Sequence, residues 1–219
     1  IKETSEENVL SAGAFPDTLS SVPQFINGDF FVQDISCYKA LKSLDLHEGQ
    51  LIYDLCAAPG GKSFSCSILT GGKAFVKAFD ISGNRAVLIK QGAQRMGFEN
   101  IEVKQHDASR HDSKLLPADI VLCDVPCSGL GVVSRKPEIK YKDVSSFEDL
   151  IKLQKAILEN GASYCKVGSE LLYSTCTLSK SENEDVAEAF LKAHPEFDLK
   201  QMNTIFPYEF SCDGFFFAC

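Results

Sequence analysis

From residue 50 onward, apolar stretches of strand length alternate with stretches that have the periodicity of α-helices. The pattern predicts strands at residues 51–57, 74–80, 101–107, 118–125 and 170–176. It predicts helices at residues 62–69, 82–96 and 147–165, and a last helix opened by a capping box of Ser181 and Glu184. Near-continuous apolar strands separated by helices are typical of a parallel sheet with helices on both faces. The sequence therefore predicts a doubly wound α/β fold.

Composition narrows the class of protein. A chain of 219 residues with 44% hydrophobic residues can form one α/β domain, and no apolar run is long enough to span a bilayer. The first eight residues are polar and acidic, unlike a signal peptide. No CxxC pair occurs and the four histidines do not cluster with cysteines, so we expect no metal site. Most of the nine cysteines lie inside predicted strands and helices, among them Cys56, Cys66, Cys123 and Cys165. Reduced cysteines behave in this way, so the pattern favours a cytoplasmic protein.

Charge and loop content suggest how the chain is organised. Residues 1–45 are loop-rich and are interpreted as a lead-in or as the remnant of a longer N-terminal region, whereas residues 46–219 form the predicted main domain. The net charge of −8 argues against a polyanionic partner. Basic residues nevertheless crowd one loop directly after the DVPCSG motif: Arg135, Lys136, Lys140 and Lys142. A charge cluster is more often a solvated face, but this one adjoins a candidate active site.

The segment DLCAAPGGKS, residues 54–63, turns a predicted strand into a helix. Its glycines allow close approach of a ligand to the helix N-terminus. A P-loop is disfavoured because Cys56 stands where that motif needs glycine, and no GxGxxG occurs. Acids end the next three strands, which predicts a nucleoside pocket without phosphates and favours S-adenosylmethionine over NAD or ATP. The predicted cofactor site comprises Cys56, Ala57, Ala58, Pro59, Gly60, Gly61, Lys62, Asp80, Arg85, Asp107 and Asp124.

Two further motifs complete the pattern: DVPCSG contains Cys127 and YSTCT contains Cys176. With DLCAAPGGK, in this order and spacing, they resemble the RNA 5-methylcytosine methyltransferases of the RsmB/Sun family over residues 25–219. The resemblance implies a class I S-adenosylmethionine-dependent methyltransferase fold, Rossmann-like, with a seven-stranded mostly parallel sheet. It also implies an antiparallel last hairpin in which DGFFFAC is an inserted strand.

The resemblance implies a role for each candidate catalytic residue. Cys176 is the nucleophile that adds to cytosine carbon 6, Cys127 assists release of the methylated product, and Asp124 binds the N3/N4 edge of the base. The rival assignment makes Cys127 the attacking thiol, because DNA cytosine methyltransferases use a Pro-Cys nucleophile. In a purely structural interpretation, both cysteines are buried and take no part in catalysis. This interpretation suits Cys127 badly, because Pro126 and Ser128–Gly129 place it in a loop.

The resemblance also implies an RNA substrate, with ribosomal RNA favoured over transfer RNA, and we expect a monomer. It further implies that residues 46–219 are the methyltransferase catalytic domain and that residues 1–45 are the remnant of an RNA-binding region. Arg135, Lys136 and Lys142 are the candidate phosphate contacts, and Phe30, Phe31 and Tyr141 are candidates for stacking on bases near a flipped cytosine. One departure is Ser134, where close relatives often carry a second arginine. Two alternatives stay open: a cofactor-binding RNA assembly factor without turnover, and a small-molecule methyltransferase, which would not need two thiols at the sheet edge.

Overall fold

A seven-stranded sheet forms the centre of the computed structural model, which describes residues 2–12, 18–141 and 147–219. Two short strands, β1 (Lys2–Glu3) and β2 (Leu10–Ser11), pair separately. The main sheet contains β3 (Leu51–Asp54), β4 (Phe75–Asp80), β5 (Ile101–Gln105), β6 (Ala118–Asp124), β7 (Cys165–Thr175), β8 (Met202–Ile205) and β9 (Phe215–Ala218). Its strand order is β5-β4-β3-β6-β7-β9-β8. Strands β3 to β7 are parallel, and β9 lies antiparallel between β7 and β8.

Helices cover both faces of this sheet. The α-helices of the described residues are α1 (Pro23–Ile26), α2 (Ile35–Leu41), α3 (Gly61–Leu69), α4 (Gly83–Arg95), α5 (Phe147–Ser163), α6 (Glu184–Ala193) and α7 (Pro207–Phe210). Neighbouring residues of a strand point to opposite faces, so Ile52 packs in one core cluster and Tyr53 in another. Phe216 and Phe217 divide between the same two clusters. The predicted fold, a seven-stranded mostly parallel sheet with an inserted antiparallel last strand, is confirmed.

The strand order places the site. The chain runs from β3 outward through β4 to β5, and then returns to the other side of β3 with β6. Ligands of doubly wound sheets bind where the order reverses, beyond the carboxyl ends of the strands. Asp54 ends β3 and Asp124 ends β6, and both therefore lie at this reversal point.

Two local predictions are wrong. Cys165 does not continue the helical stripe of α5: the helix ends at Ser163, and Cys165 begins β7, where it is paired with Ala118. Ser181 forms no capping box with Glu184, because residues Lys180–Glu182 form a 3₁₀ turn and α6 begins after Asn183. The Ser181 hydroxyl bonds Ser179 instead.

The division at residue 45 stays a prediction. Within the lead-in, α2 belongs to the packing of the sheet, since Ala40 and Leu41 are fully buried in the cluster that contains Ile52. No helix of the described segments is long and apolar enough to cross a bilayer. Among the same residues, no group of three or more histidine, cysteine or acidic side chains could hold a metal ion.

Candidate active site

The turn from β3 to α3 brings backbone, rather than side chains, to the edge of the sheet. Gly60 has φ of 114°, a left-handed conformation that favours glycine, and an added Cβ there would collide with the Phe64 ring. The Ala57 N–H donates to the Phe79 carbonyl at the end of β4, which ties the turn to the next strand. The turn therefore offers a rigid cradle at a helix N-terminus.

Asp54, the last residue of β3 before this turn, is fully buried. Its Oδ2 accepts a hydrogen bond of 2.7 Å from Ser63 Oγ, whereas its Oδ1 is buried and has no partner within the described part of the chain. Burial raises the pKa of Asp54 to about 6. A buried acceptor without a donor costs free energy in the folded protein, so this carboxylate is suited to a ligand that donates hydrogen bonds.

The acids of the next strands lie along the same edge. Asp80 ends β4, is only 2% exposed, and accepts the Ser82 N–H, with the Arg85 guanidinium 3.6 Å away. Arg85 also donates to the Ala58 carbonyl at 2.9 Å, so it connects the glycine turn to Asp80. Asp107 follows β5, the neighbour of β4, and the hydrogen bonds from Ser109 keep its pKa low.

An ion pair between buried Lys62 and partly exposed Asp124 joins the glycine turn to β6. Lys62 Nζ lies 2.7 Å from Asp124 Oδ2, and Ser174 Oγ donates to Asp124 Oδ1 at 2.8 Å. Lys62 also donates to Cys37 Sγ at 3.5 Å. Burial lowers the pKa of Lys62, but interactions with Asp124, Cys37 and Asp54 together outweigh burial and raise it. Lys62 therefore stays charged, and Asp124 is held between Lys62 of α3 and Ser174 of β7.

The two thiols meet beyond the ends of β6 and β7. Cys127 Sγ and Cys176 Sγ are 3.2 Å apart although 49 residues separate them in sequence. The hydrogen bond between them lowers the pKa of Cys176, with Lys62 acting in the same direction against burial and Asp124. The same bond, together with burial, raises the pKa of Cys127. Cys176 therefore forms the thiolate, which is the nucleophilic form, more readily than Cys127.

The loop that carries Cys127 is attached closely to the strands on its other side. The Gly131 N–H donates to the Cys176 carbonyl at 3.0 Å, and the Gly214 N–H donates to the Gly131 carbonyl at 2.8 Å. A Cβ on Gly131 would collide with the Gly214 backbone. Only glycine permits this approach, and the approach brings the two cysteine loops together.

Comparison with known proteins identifies the family of the chain. The family model described as 16S rRNA methyltransferase RsmB/F matches residues 41–218. This chain belongs to the RsmB/F family. It is 35% identical to the probable ribosomal RNA small subunit methyltransferase B of Bacillus subtilis, over 91% of this chain and 49% of that protein.

Other relatives of the RsmB/F chain give the same result. It is 35% identical to the ribosomal RNA small subunit methyltransferase B of Pectobacterium atrosepticum, over 94% of this chain and 50% of that protein. The crystal structure of NSun6 from Pyrococcus horikoshii with SFG superposes with a TM-score of 0.84 and 28% identity, over 92% of this chain and 55% of that one. The chain spans about half the length of the curated relatives it matches.

Of the residues predicted to contact RNA in this RsmB/F chain, some are exposed and others already have partners within the protein. Arg135 bridges two acids, with Nη2 2.7 Å from Asp34 Oδ2 and Nε 3.0 Å from Asp213 Oδ1. Lys136 is exposed, and Lys142 lies outside the described residues. Tyr141 is 89% exposed, which suits a stacking role. Phe31 packs edge-on against Phe64 and Phe30 against Phe25, so both rings already have aromatic partners.

Several polar residues at this site were not predicted from the sequence. Glu182 and Asn183 are almost completely buried and contact the cysteine loops. Asp34 and Asp213 hold Arg135, and Cys37 contacts Lys62. No local motif reveals these contacts. The contacts of Asp34, Asp213 and Cys37 join segments that are at least 25 residues apart in the sequence. Glu182 and Asn183 lie at a 3₁₀ turn that the sequence pattern did not predict.

Proposed function

We propose that this chain transfers a methyl group from S-adenosylmethionine to carbon 5 of a cytosine in RNA, through a covalent bond between Cys176 and carbon 6. The observation that carries the proposal is the 3.2 Å contact of two thiols beside the Lys62–Asp124 ion pair. A single-thiol or small-molecule methyltransferase has no need for the second sulfur. The relatives named ribosomal RNA small subunit methyltransferase B favour ribosomal RNA as the substrate.

The glycine turn and the acids at the neighbouring strand ends fit S-adenosylmethionine. The unpartnered Oδ1 of Asp54 is an acceptor, Asp80 offers a second carboxylate for ribose hydroxyls, and Asp107 lies where the adenine would meet the edge of the sheet. Backbone of residues 56–62 forms the cradle, and Arg85 holds its far end. When bound there, S-adenosylmethionine supplies an electrophilic methyl group on its sulfonium.

Attack on the base uses Cys176 and Asp124. Carbon 5 of cytosine is a weak nucleophile until the Cys176 thiolate forms a bond to carbon 6, which shifts the ring electrons toward carbon 5. Asp124 accepts a hydrogen bond from the exocyclic N4 amino group and so orients the ring. Lys62 and Ser174 hold both oxygens of Asp124, which fixes that orientation before the base arrives.

Release uses Cys127. After methylation, carbon 5 carries both a methyl group and a proton, and the proton must leave before the bond between Cys176 and carbon 6 breaks. Alkylation of Cys176 removes the neighbouring thiolate that raises the pKa of Cys127. Cys127 then releases its thiol proton to solvent and, as a thiolate, accepts the proton from carbon 5. The electrons of the carbon 5–hydrogen bond re-form the double bond, and Cys176 departs as a thiolate. The two cysteines then have their starting protonation states.

RNA carrying 5-fluorocytidine tests the covalent step, because fluorine replaces the carbon 5 proton and no base can remove it as a cation. The parent chain and its Cys127→Ala variant are expected to give a slow-moving protein–RNA band on a denaturing gel, and Cys176→Ala none. With unmodified RNA, only Cys127→Ala is expected to accumulate the band. A band from Cys176→Ala without one from Cys127→Ala would make Cys127 the nucleophile, and no band from any protein would refute the proposed function.

The exposed face beside the thiols suits RNA. Lys136, Lys140 and Tyr141 offer charge and an aromatic ring on one loop after Cys127. With a net charge of −8, the affinity of this chain for RNA is expected to be weak and to fall steeply with salt. Tight binding at physiological salt would contradict this account of the surface charge.

A further inference from the structure

Glu182 is a fully buried carboxylate whose hydrogen bonds converge on the Cys127 loop. Its Oε2 accepts the backbone N–H of Ser128 at 2.8 Å, and its Oε1 accepts Ser128 Oγ at 2.6 Å. Gln154 Nε2 donates both to Glu182 Oε2 at 2.9 Å and to the Pro126 carbonyl at 3.0 Å. Glu182 therefore fixes the residues on both sides of Cys127, one directly and one through Gln154.

Asn183, the next residue, does the same for Cys176. Its Oδ1 accepts Thr175 Oγ1 at 2.6 Å, and its Nδ2 donates to the Thr177 carbonyl at 3.0 Å. Asn183 is 1% exposed and caps no backbone N–H of α6 with its side chain. Its amide is used instead to hold the residues that precede and follow Cys176.

One hydrogen bond connects the two halves of this arrangement. Ser128 Oγ donates to Glu182, because a carboxylate oxygen only accepts. The Thr177 hydroxyl therefore donates to Ser128 Oγ, at a distance of 2.7 Å. The residue after Cys127 is thus bonded to the residue after Cys176. This link and the hydrogen bond from the Gly131 N–H to the Cys176 carbonyl together hold the two cysteine loops side by side.

We propose that Glu182 and Asn183 are positioning residues with divided roles, Glu182 for the release thiol and Asn183 for the attacking thiol. The assignment rests on the proposed function. Neither side chain contacts a sulfur, so each acts through the backbone on either side of a cysteine. Misplacement of a reacting group by about 1 Å costs roughly 100-fold in rate. Loss of Glu182 is therefore expected to slow release, and loss of Asn183 to slow attack.

The hydrogen-bond pattern predicts that a glutamine can replace Glu182. In Glu182→Gln, the amide oxygen at the Oε2 position would accept Ser128 N–H and Gln154 Nε2, and the amide nitrogen would donate to Ser128 Oγ. The Ser128 hydroxyl would then rotate to donate to Thr177. The groups that donate to Glu182, which are Ser128 N–H, Ser128 Oγ and Gln154 Nε2, each keep a partner, so a positioning role survives the loss of the carboxylate. A role of Glu182 as a base for the carbon 5 proton would not survive it.

The test compares Glu182→Ala, Glu182→Gln and Asn183→Ala with the parent chain on unmodified and 5-fluorocytidine RNA. Glu182→Ala is expected to accumulate covalent adduct on unmodified RNA, with release slowed roughly 100-fold, and to attack 5-fluorocytidine RNA at the parental rate. Asn183→Ala is expected to attack the fluorinated RNA roughly 100-fold more slowly. Glu182→Gln is expected to release product at nearly the parental rate.

Ser181→Ala is the matched control, since its exposed hydroxyl lies on the same turn and bonds only Ser179 among the described contacts. If Glu182→Ala fails to fold, Ser128→Ala removes one donor to Glu182 and the link to Thr177, and accumulation of adduct by that variant supports the proposal. Equal loss of attack and release in all variants, or a Glu182→Gln variant as impaired as Glu182→Ala, overturns it. Failure of the parent chain to form any adduct refutes the proposed function instead.

Discussion

The two halves of the active-site edge are constructed in different ways. On the side of β3 and β4, the proposed cofactor cradle consists of one contiguous segment, residues 54–63, completed by Asp80 and Arg85. On the side of β6 and β7, the thiols come from segments 49 residues apart. Buried polar side chains from a third segment hold them there. A cradle of backbone is specified locally, whereas a pair of reacting sulfur atoms depends on contacts across the domain.

The difference has a physical reason. A cofactor can be recognised by backbone groups of a single turn, because glycine and a helix N-terminus determine where those groups point. Two side chains that act in succession on neighbouring carbons of one base need a separation fixed to within a fraction of an ångström. The RsmB/F chain fixes it with buried hydrogen bonds, each of which must be satisfied or else costs free energy.

Replacement of the attacking thiol should have the largest effect, because it should lower the methylation rate without changing cofactor affinity. Cys176→Ala is expected to lower the methylation rate by on the order of 10⁴-fold, since covalent activation of the base is lost. Its affinity for S-adenosylmethionine should equal that of the parent, because Cys176 contributes nothing to the cradle. Single-turnover assays and calorimetry measure the two quantities. A parallel fall in cofactor affinity would show that the halves are not independent.

Lys62 lies in both halves, so its replacement should damage the fold itself. Lys62→Met leaves Asp124 beside Ser174 without its cation and is expected to lower the free energy of unfolding by about 3 kcal/mol. Denaturant titration checks this value. Lys73→Met breaks an ion pair with Glu48 that is about two-thirds exposed, and no measurable change is expected from that control. Similar stability of the two variants would contradict the bridging role of Lys62.

The buried carboxylate of Asp54 gives the cradle a pH dependence. Its folded pKa of about 6 lies above the unfolded value of 3.8, so the stability from its bound proton is present below 3.8 and lost as pH rises through 6. Relative to Asp54→Asn, the parent chain is expected to lose up to about 3 kcal/mol across that interval. Denaturation of both proteins at several pH values measures the difference. A constant difference would mean that Asp54 does not titrate there.

Asp80 should give the smallest of these effects, confined to the cradle. Asp80→Ala is expected to weaken S-adenosylmethionine binding by about 2 kcal/mol, since hydrogen bonds to a charged acceptor are lost. Calorimetry is the measurement, with Asp149→Ala, an exposed position on α5, as the control. Tight ATP binding without S-adenosylmethionine binding would refute the assignment of the cradle.

The same contrast explains what could be predicted from the sequence. The alternation of apolar strands with helices predicts the sheet, and the glycine turn and the strand-end acids lie in local patterns. Cys127 and Cys176 were found because their motifs are local, and the resemblance to the RsmB/Sun family supplied their pairing. Glu182 and Asn183 escaped prediction because a serine with a glutamate three residues later resembles a helix cap. In the folded chain their side chains are used across the domain instead.

The position of β9 has a consequence for the order in which the chain becomes competent during synthesis. Residues 202–205 leave the ribosome before residues 215–218, yet β8 contacts β7 only through β9. The Gly214 N–H, which holds the Cys127 loop through Gly131, also arrives at this late stage. A nascent chain can therefore fold its cofactor cradle early, whereas its two sulfur atoms reach their final separation only after the last described strand has joined the sheet.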